Sequence, residues 1–216
     1  MEQSFDIKNS IMDTIMTYVR ISESRDSELR KHVLRIQQYS RALALEMQRS
    51  LQNSELISAE LIENIFLVSP LHDIGKTHIP ERILLKNGRL TEEEFECMKT
   101  HCTKGEYILT PFKEKYPSSS LIKTAIDIVR HHHERYDGRG YPDALGGEYI
   151  PVSARIMAIA DVYDALRSAK TYKETFQHEA ACHIISEGKG TQFDPLVIDN
   201  FMKIHEVFQQ IFSETD

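Results

Sequence analysis

Histidine and aspartate residues occur along the chain in short groups that have the composition of a metal-binding site. Three consecutive histidines occupy positions 131–133, and His72 is followed directly by Asp73. The latter pair comes after the apolar stretch IFLVSPL, where a His-Asp pair is costly to bury unless both groups are compensated. The compensation is either a mutual hydrogen bond at the end of a helix or a cation that both side chains bind.

Asp161 strengthens the metal interpretation because a stripe of alanines at helical spacing surrounds it in ARIMAIADVYDAL. Small residues let a neighbouring backbone come close, which would bury the carboxylate and create a need for a cation. Asp164 is less informative, since Arg167 at i+3 is a ready helical partner for it.

Other candidate ligands gain meaning only as part of a set. His101 on its own is an ordinary half-exposed helical histidine, and Glu28 and His32, spaced i, i+4, are on their own a surface pair. The whole set offers imidazole and carboxylate ligands without a thiolate: Glu28, His32, His72, Asp73, His101, two of the three histidines at 131–133, and Asp161. That mixture suits six-coordinate iron or manganese better than structural zinc. Two such ions would activate a hydroxide and neutralise a phosphoryl oxygen.

The elements that must position these residues are helices, because apolar residues recur with helical period along most of the chain. The predicted helical segments are 7–19, 27–49, 58–73, 91–107, 119–133, 152–168, 175–187 and 195–212. Strand signals are weak. Glycine and proline concentrate in one long loop between Gly138 and Pro151. The sequence therefore predicts an all-α domain that is interrupted by a single elaborate loop.

The amino-acid composition limits the classes of ligand and the cellular compartment that are expected for this protein. The chain has 216 residues and a net charge of −7, which argues against duplex nucleic acid as a partner but permits a small phosphorylated ligand. No apolar run approaches the ~20 residues of a membrane span, and no secretory signal is recognisable. Three cysteines without a CxxC pair indicate neither disulfides nor a thiolate zinc site, so a cytoplasmic protein is expected. The late histidines His178, His183 and His205 are interpreted as surface or core-edge residues.

Three motifs carry a resemblance to a known family. The segments HDIGK (72–76), HHERYDGRGYP (132–142) and IADVYDAL (159–166) resemble the HD-GYP subgroup of the HD-domain metal-dependent phosphohydrolases. Further matches at 79–101, 146–156 and 190–195 follow in the family's order, and the resemblance covers roughly residues 26–205. It implies a single helical domain with a two- or three-metal centre that hydrolyses cyclic di-GMP to pGpG, GMP or both.

The resemblance also implies roles for individual residues. The ligands of the two-metal core would be His72, Asp73, His101, His132, His133 and Asp161. Asp73 would bridge the two ions, and Glu28 with His32 would match the position of a third metal. Lys76 would face the substrate phosphate and, with Asp73, form the catalytic pair. His131 would be the histidine that binds no metal.

Substrate contacts are expected from the GYP loop and from the segment that follows the Asp161 helix. Tyr141 either packs in the loop or contacts a base. The family commonly has arginine–proline–tyrosine–lysine where this chain has Lys170, Thr171, Tyr172 and Lys173. Lys173 keeps a phosphate contact, whereas Lys170 replaces a forked guanidinium with a point charge. The substrate is therefore cyclic di-GMP or another cyclic dinucleotide, and a non-catalytic cyclic-dinucleotide sensor is the alternative from another functional class.

Residues 1–25 precede the family match and are predicted to form a separate helix, with residues 26–216 forming the HD-GYP domain. The helix has an apolar stripe through Ile7, Ile11 and Ile15. It serves association, either in a homodimer or with a regulatory partner, or it packs back on its own domain. No sensor domain is recognisable, so regulatory input is expected through a partner.

Overall fold

The computed structural model describes residues 17, 27–50, 56–168 and 175–215, and over these ranges the protein is all-α. The α-helices are α1 (Ser27–Ser50), α2 (Ala59–Val68), α3 (Glu81–Leu84), α4 (Glu92–Lys99), α5 (His101–Lys115), α6 (Ser120–His131), α7 (Val152–Arg167), α8 (His178–Glu187) and α9 (Pro195–Thr215). Short 3-10 helices lie at Ser69–Leu71, Ile74–His78 and Gly147–Tyr149. Pairing between extended segments is limited, in these ranges, to two isolated β-bridges. The predicted fold class is confirmed.

Helix α1 lies in the middle of the domain and packs against α2, α7 and α9. Its predicted inward residues are buried: Val33, Ile36, Leu43 and Met47. Tyr39, also buried, stacks on Phe208 of α9 with ring centroids 4.5 Å apart and meets Tyr163 of α7 edge to face. Each large apolar side chain that is fully buried contributes about 1.5–3 kcal/mol. These contacts hold α1 and α7 together as one framework.

The segment predicted as a helix over 58–73 ends earlier than expected. Ser58 is the N-cap, as predicted, and its side chain accepts the Leu61 amide hydrogen at 3.1 Å. The α-helix stops at Val68 because Pro70 has no amide hydrogen and cannot continue the bonding pattern. The chain continues in two 3-10 turns, so His72 and Asp73 lie between these turns instead of inside a helix.

The segment predicted as one helix over 91–107 is two helices. The capping box of Thr91 and Glu94 is present as predicted. The break follows Lys99, where the Thr100 hydroxyl donates to the Cys97 carbonyl at 2.6 Å and competes with the helical pattern. His101 consequently begins α5 and is buried.

The long loop predicted between 138 and 151 is confirmed as non-helical apart from the 3-10 turn Gly147–Tyr149. The segment 190–195 supports it, because the Tyr136 and Asp137 amides donate to the carbonyls of Gln192 and Thr191. A buried ion pair between Arg155 and Asp194 joins the start of α7 to the same segment. Two of the motif segments therefore serve to hold the loop in place.

Several predictions concern residues outside the described ranges. These are the N-terminal helix with its boundary at residue 25, apart from Thr17, and the substrate contacts Lys170 and Lys173. None of the described helices has both the length and the apolar character that crossing a bilayer requires.

Candidate metal centre

Seven of the predicted ligands come together in two adjoining groups. Cluster A consists of Asp73, His101, His132 and His133, and cluster B consists of His32, His72 and Asp161. In each cluster every residue offers one ligand atom that lies within 4.8 Å of the others. The ligands come from α1, the two residues between the first two 3-10 turns, the start of α5, the two residues after α6, and α7.

The Asp73 carboxylate lies between the two clusters. Its Oδ1 is 3.4 Å from His101 Nε2 and 3.8 Å from His132 Nε2, both in cluster A. Its Oδ2 is 3.3 Å from His72 Nε2 in cluster B, and the same nitrogen is 3.9 Å from Asp161 Oδ1. One carboxylate oxygen therefore faces each cluster, as a bridging ligand requires.

Backbone carbonyls orient three of the imidazoles. His72 Nδ1 is 2.9 Å from the Ser69 carbonyl oxygen. His101 and His132 make the equivalent contacts through Nδ1, at 2.8 and 3.0 Å to the carbonyl oxygens three and four residues earlier. An Nδ1–H donated to a carbonyl leaves the Nε2 lone pair directed at the cluster, which is the tautomer that a metal ligand needs.

The burial of unpaired ligand atoms supports a cation. His72 Nε2 and Asp73 Oδ1 are buried and have no hydrogen-bond partner among the described residues. Leaving such atoms unpaired costs on the order of 1–3 kcal/mol each, and more for a charged group. Divalent ions at the two clusters would satisfy both atoms, so the residues present fit a pair of such ions.

The charge states also suit metal binding. Burial and the nearby His133 hold the pKa of His132 well below its usual range, and burial lowers the pKa of His133 to about 3. Burial opposes ionisation of Asp73, but His72 and Lys76 outweigh it and lower the pKa of this carboxyl. Burial also lowers the pKa of His101, whereas at His72 the neighbouring Asp73 outweighs burial and raises the pKa. Cluster A therefore presents neutral imidazoles and an ionised Asp73, the forms that bind divalent ions.

A glycine lets the Asp73 turn approach α5. A Cβ on Gly75 would lie 1.9 Å from the His101 carbonyl oxygen and 2.5 Å from the Gly105 amide nitrogen. Only glycine fits such a close contact between two backbones. The glycine of HDIGK therefore brings Asp73 within reach of His101.

The predicted substrate residues that the structure describes lie at the edge of the centre. Lys76 Nζ is 2.5 Å from Asp73 Oδ2, and its side chain is partly exposed. Tyr141 stacks on His133 with ring centroids 4.9 Å apart, and Phe95 meets the Tyr141 ring edge to face. Tyr141 thus packs against a ligand of cluster A.

Two further predictions concern His131 and the pair of Glu28 and His32. His131 belongs to neither cluster, and its Nε2 is 3.1 Å from an oxygen of Asp143 in the loop. Of the pair predicted for a third metal, His32 is in cluster B, and the Glu28 side chain is 52% exposed and pairs with Lys31 at 3.2 Å. A third metal at Glu28 and His32 stays a prediction.

The profile of the HD-domain family matches residues 20–197. The chain belongs to the HD-domain family. A relative from Vibrio cholerae serotype O1, named a cyclic di-GMP phosphodiesterase, is 44% identical over 206 residues, which are 95% of this chain and 42% of the relative. A protein of the same organism, named 3'3'-cGAMP-specific phosphodiesterase 2, is 35% identical over 94% of this chain and 36% of its own length.

A solved structure of an HDG"Y"P protein from Bdellovibrio bacteriovorus matches with a TM-score of 0.58 at 19% identity, covering 92% of this chain and 63% of that one. That likeness is one of fold. The chain spans less than half the length of the two curated relatives.

Asp164 is a residue of the HD domain whose importance the sequence did not reveal. Its buried carboxylate accepts hydrogen bonds from Arg35 Nε at 2.5 Å and Nη2 at 3.1 Å, and from His32 Nδ1 at 2.7 Å. The expected pairing with Arg167 at i+3 is wrong, because Arg35 of α1 takes that place. Asp164 thereby orients His32 toward cluster B. No local signal could have found a partner 132 residues away.

Glu134 is a second residue that sequence reasoning missed, although it stands in the quoted HHE motif. Its buried carboxylate accepts the amide hydrogens of Asp143 at 2.7 Å and Leu145 at 3.1 Å. Gly140 lies against the backbone of the same residue, where a Cβ would be 2.5 Å from the Glu134 Cα. Glu134 therefore organises the loop of the HD domain from within and supports Tyr141.

Proposed function

We propose that this HD domain is a metal-dependent phosphodiesterase that hydrolyses cyclic di-GMP to pGpG, GMP or both in bacterial second-messenger signalling. The observation that carries the proposal is the position of Asp73, with one carboxylate oxygen toward each of two adjoining ligand clusters. Similarity to a relative named a cyclic di-GMP phosphodiesterase supports the choice of substrate.

The proposed ligands are those of clusters A and B, with Asp73 shared between two ions. Imidazole and carboxylate donors without a thiolate favour iron or manganese. A pair of divalent ions at this position supplies Lewis acidity and neutralises the charge that develops on a phosphoryl oxygen. Glu28 and His32 are proposed for a third ion on the basis of the motif.

The protein's own residues would hold and orient the substrate. The Lys76 side chain is partly exposed and its ammonium lies beside Asp73, so it can donate to a phosphate oxygen that approaches the centre. Tyr141 presents an aromatic ring beside cluster A, and we propose that a base of the substrate stacks on it. Lys170 and Lys173 are proposed phosphate contacts because they match the family's motif.

The test combines metal analysis of anaerobically purified protein with a product assay on cyclic di-GMP. Asp73→Ala should lose metal and hydrolysis together, because both clusters lose their shared ligand. His131→Ala is the matched control: it removes a neighbouring imidazole that faces Asp143 and should keep both properties. Wild-type metal content and turnover in Asp73→Ala would refute the proposal.

A second candidate substrate is 3'3'-cGAMP. A relative with that specificity in its name is 35% identical, and Lys170 departs from the arginine that is usual in the family. Turnover of the two dinucleotides should be compared at equal concentration in wild type and in Lys170→Arg. Faster turnover of 3'3'-cGAMP by the wild type would make it the substrate, and binding without turnover of either would indicate a sensor.

The setting of the domain is also proposed. We place the protein in the cytoplasm because its substrate class and its reduced cysteines fit that compartment. The N-terminal segment is proposed to mediate a homodimer or a regulatory contact. Deleting residues 1–22 and deriving the number of chains per particle from the molecular mass in solution tests this, and an unchanged number of chains would contradict a homodimer formed through this segment.

A further inference from the structure

A third group of ligand-like side chains lies outside the metal centre. His178, Cys182 and His205, here called the α8–α9 cluster, bring their ligand atoms within 4.8 Å of one another. His178 and Cys182 are one turn apart on α8, and His205 reaches them from α9. The prediction of a surface or core-edge position is wrong for His178, which is 3% exposed, although it fits the exposed His183.

The distances within this cluster are close to those between ligands of one tetrahedral ion. His178 Nε2 is 2.9 Å from His205 Nδ1, and Cys182 Sγ is 3.7 Å from the same Nε2. Zinc–nitrogen bonds of about 2.0–2.1 Å and zinc–sulfur bonds of about 2.3 Å place such atoms on the order of 3.3 and 3.6 Å apart. Both observed distances therefore lie within a few tenths of an ångström of those in a zinc site.

A further contact orients His178 as a ligand. The Tyr163 hydroxyl is 2.8 Å from His178 Nδ1, so an Nδ1–H donated to the phenolic oxygen leaves the Nε2 lone pair toward Cys182 and His205. The site is enclosed, because His178 and Cys182 are buried and His205 is only partly exposed. Burial also raises the pKa of the Cys182 thiol to about 11, so the cluster without an ion carries a neutral thiol.

We propose that His178, Cys182 and His205 bind a zinc ion that is separate from the metal centre and links α8 to α9. One thiolate and two imidazoles are donors that zinc prefers, and a water molecule would complete the tetrahedron beside His205, the ligand that is partly exposed. The Cys182 thiol releases its proton to solvent as the zinc–sulfur bond forms. The ion would hold the beginning of α8, which follows Lys173 by five residues in the sequence.

The competing explanation is a hydrogen-bonded chain alone. Tyr163, His178 and His205 can pass hydrogen bonds from one to the next at 2.8 and 2.9 Å, with Cys182 as a packing neighbour. The two explanations differ in whether sulfur binds a metal, and a cobalt probe reports that directly.

The test uses the full chain loaded anaerobically with cobalt(II), whose bond to a thiolate produces a charge-transfer absorption in the near ultraviolet. Cys182→Ser and His205→Gln should lose or strongly weaken this absorption and should each bind one equivalent of zinc less than wild type. Cys102→Ser controls for the other buried cysteine, since its sulfur lies 3.5 Å from His101 Nε2. His183→Gln controls for an exposed histidine on α8.

We expect the thiolate absorption in wild type and in both controls, with added zinc displacing it. Absence of the absorption in wild type, or its persistence in Cys182→Ser, would overturn the zinc site and leave the hydrogen-bonded chain. Circular dichroism of the metal-free variants checks their folding. Should Cys182→Ser fail to fold, His205→Gln decides, because its ring is partly exposed and glutamine can keep a hydrogen bond to His178. The outcome is independent of the activity of the HD domain.

Discussion

Replacing Asp164 with asparagine would remove a negative charge beside a buried guanidinium while preserving the size of the side chain. Arg35 is 1% exposed, and its Nε and Nη2 lie 2.5 and 3.1 Å from the carboxylate. Breaking a buried ion pair by removing one partner costs about 3–5 kcal/mol, because the other charge stays buried without compensation. At about 2–4 °C per kcal/mol for a chain of this length, the melting temperature should fall by roughly 6–20 °C.

The assay is urea unfolding of protein freed of metal with EDTA, so that ion binding does not contribute to the measured free energy. Asp127→Asn is the matched control. That carboxylate pairs at 2.8 Å with Lys123, whose side chain is 77% exposed, and an exposed helical pair of this kind contributes about 0.3–0.5 kcal/mol. If Asp164→Asn lost no more stability than Asp127→Asn, the argument from the buried guanidinium would be refuted.

The same substitution should weaken metal binding at cluster B for a different reason. Asp164 accepts the hydrogen bond that orients His32, and losing such a support typically costs 10- to 100-fold in metal affinity. The double variant Arg35→Met/Asp164→Leu separates the two effects. It removes both buried charges and should recover most of the stability, whereas calorimetric titration with Mn²⁺ should still show weakened binding.

Three further predictions concern the centre and its loop. Gly75→Ala should lower the metal content and reduce the free energy of unfolding by about 1–3 kcal/mol, because the added methyl group meets the His101 carbonyl oxygen and must push the two backbones apart. Elemental analysis measures the first effect and urea unfolding the second. His131→Ala should keep its full metal content, whereas His132→Ala should lose metal. Equal losses in the two variants would show that His131, whose imidazole faces Asp143, was wrongly excluded from the metal ligands. Glu134→Gln should reduce the free energy of unfolding by about 1.5–3 kcal/mol, because it weakens two hydrogen bonds to a charged acceptor. It should also raise KM for cyclic di-GMP with little change in bound metal, and an unchanged KM would contradict the role of Glu134 in the loop.

The helical fold is predictable because the signals that specify it are local. Periodic apolar residues such as Ile36 and Leu43 define the buried face of α1, and the Ser58 and Thr91 caps mark where α2 and α4 begin. The errors have local causes as well: Pro70 ends α2 early, and the Thr100 side chain divides a predicted helix in two. Proline and threonine were present in the sequence, but their consequences depended on competing hydrogen bonds.

The ligand residues of the candidate site could be predicted from the sequence, whereas the residues that hydrogen-bond to them and orient them could not. His72, Asp73 and Asp161 are marked by motifs, and the structure brings them together. Asp164 could not be found from sequence, because its partners lie on α1 and only the packing of α1 against α7 joins them. His178 was misjudged for a similar reason, since its neighbours Tyr163 and His205 come from two other helices.

The Arg35–Asp164 pair has a consequence for the order in which the domain assembles during synthesis. Arg35 is made 129 residues before its counter-ion, which at about 5–20 residues per second is an interval of roughly 6–26 s. During that time α1 carries a guanidinium that water must solvate, so α1 cannot settle into the interior. The apolar face of α1, with Leu43 and Met47, therefore cannot be covered by α7 until the ribosome has delivered that helix. The nascent chain therefore completes its interior only after most of the domain has been translated.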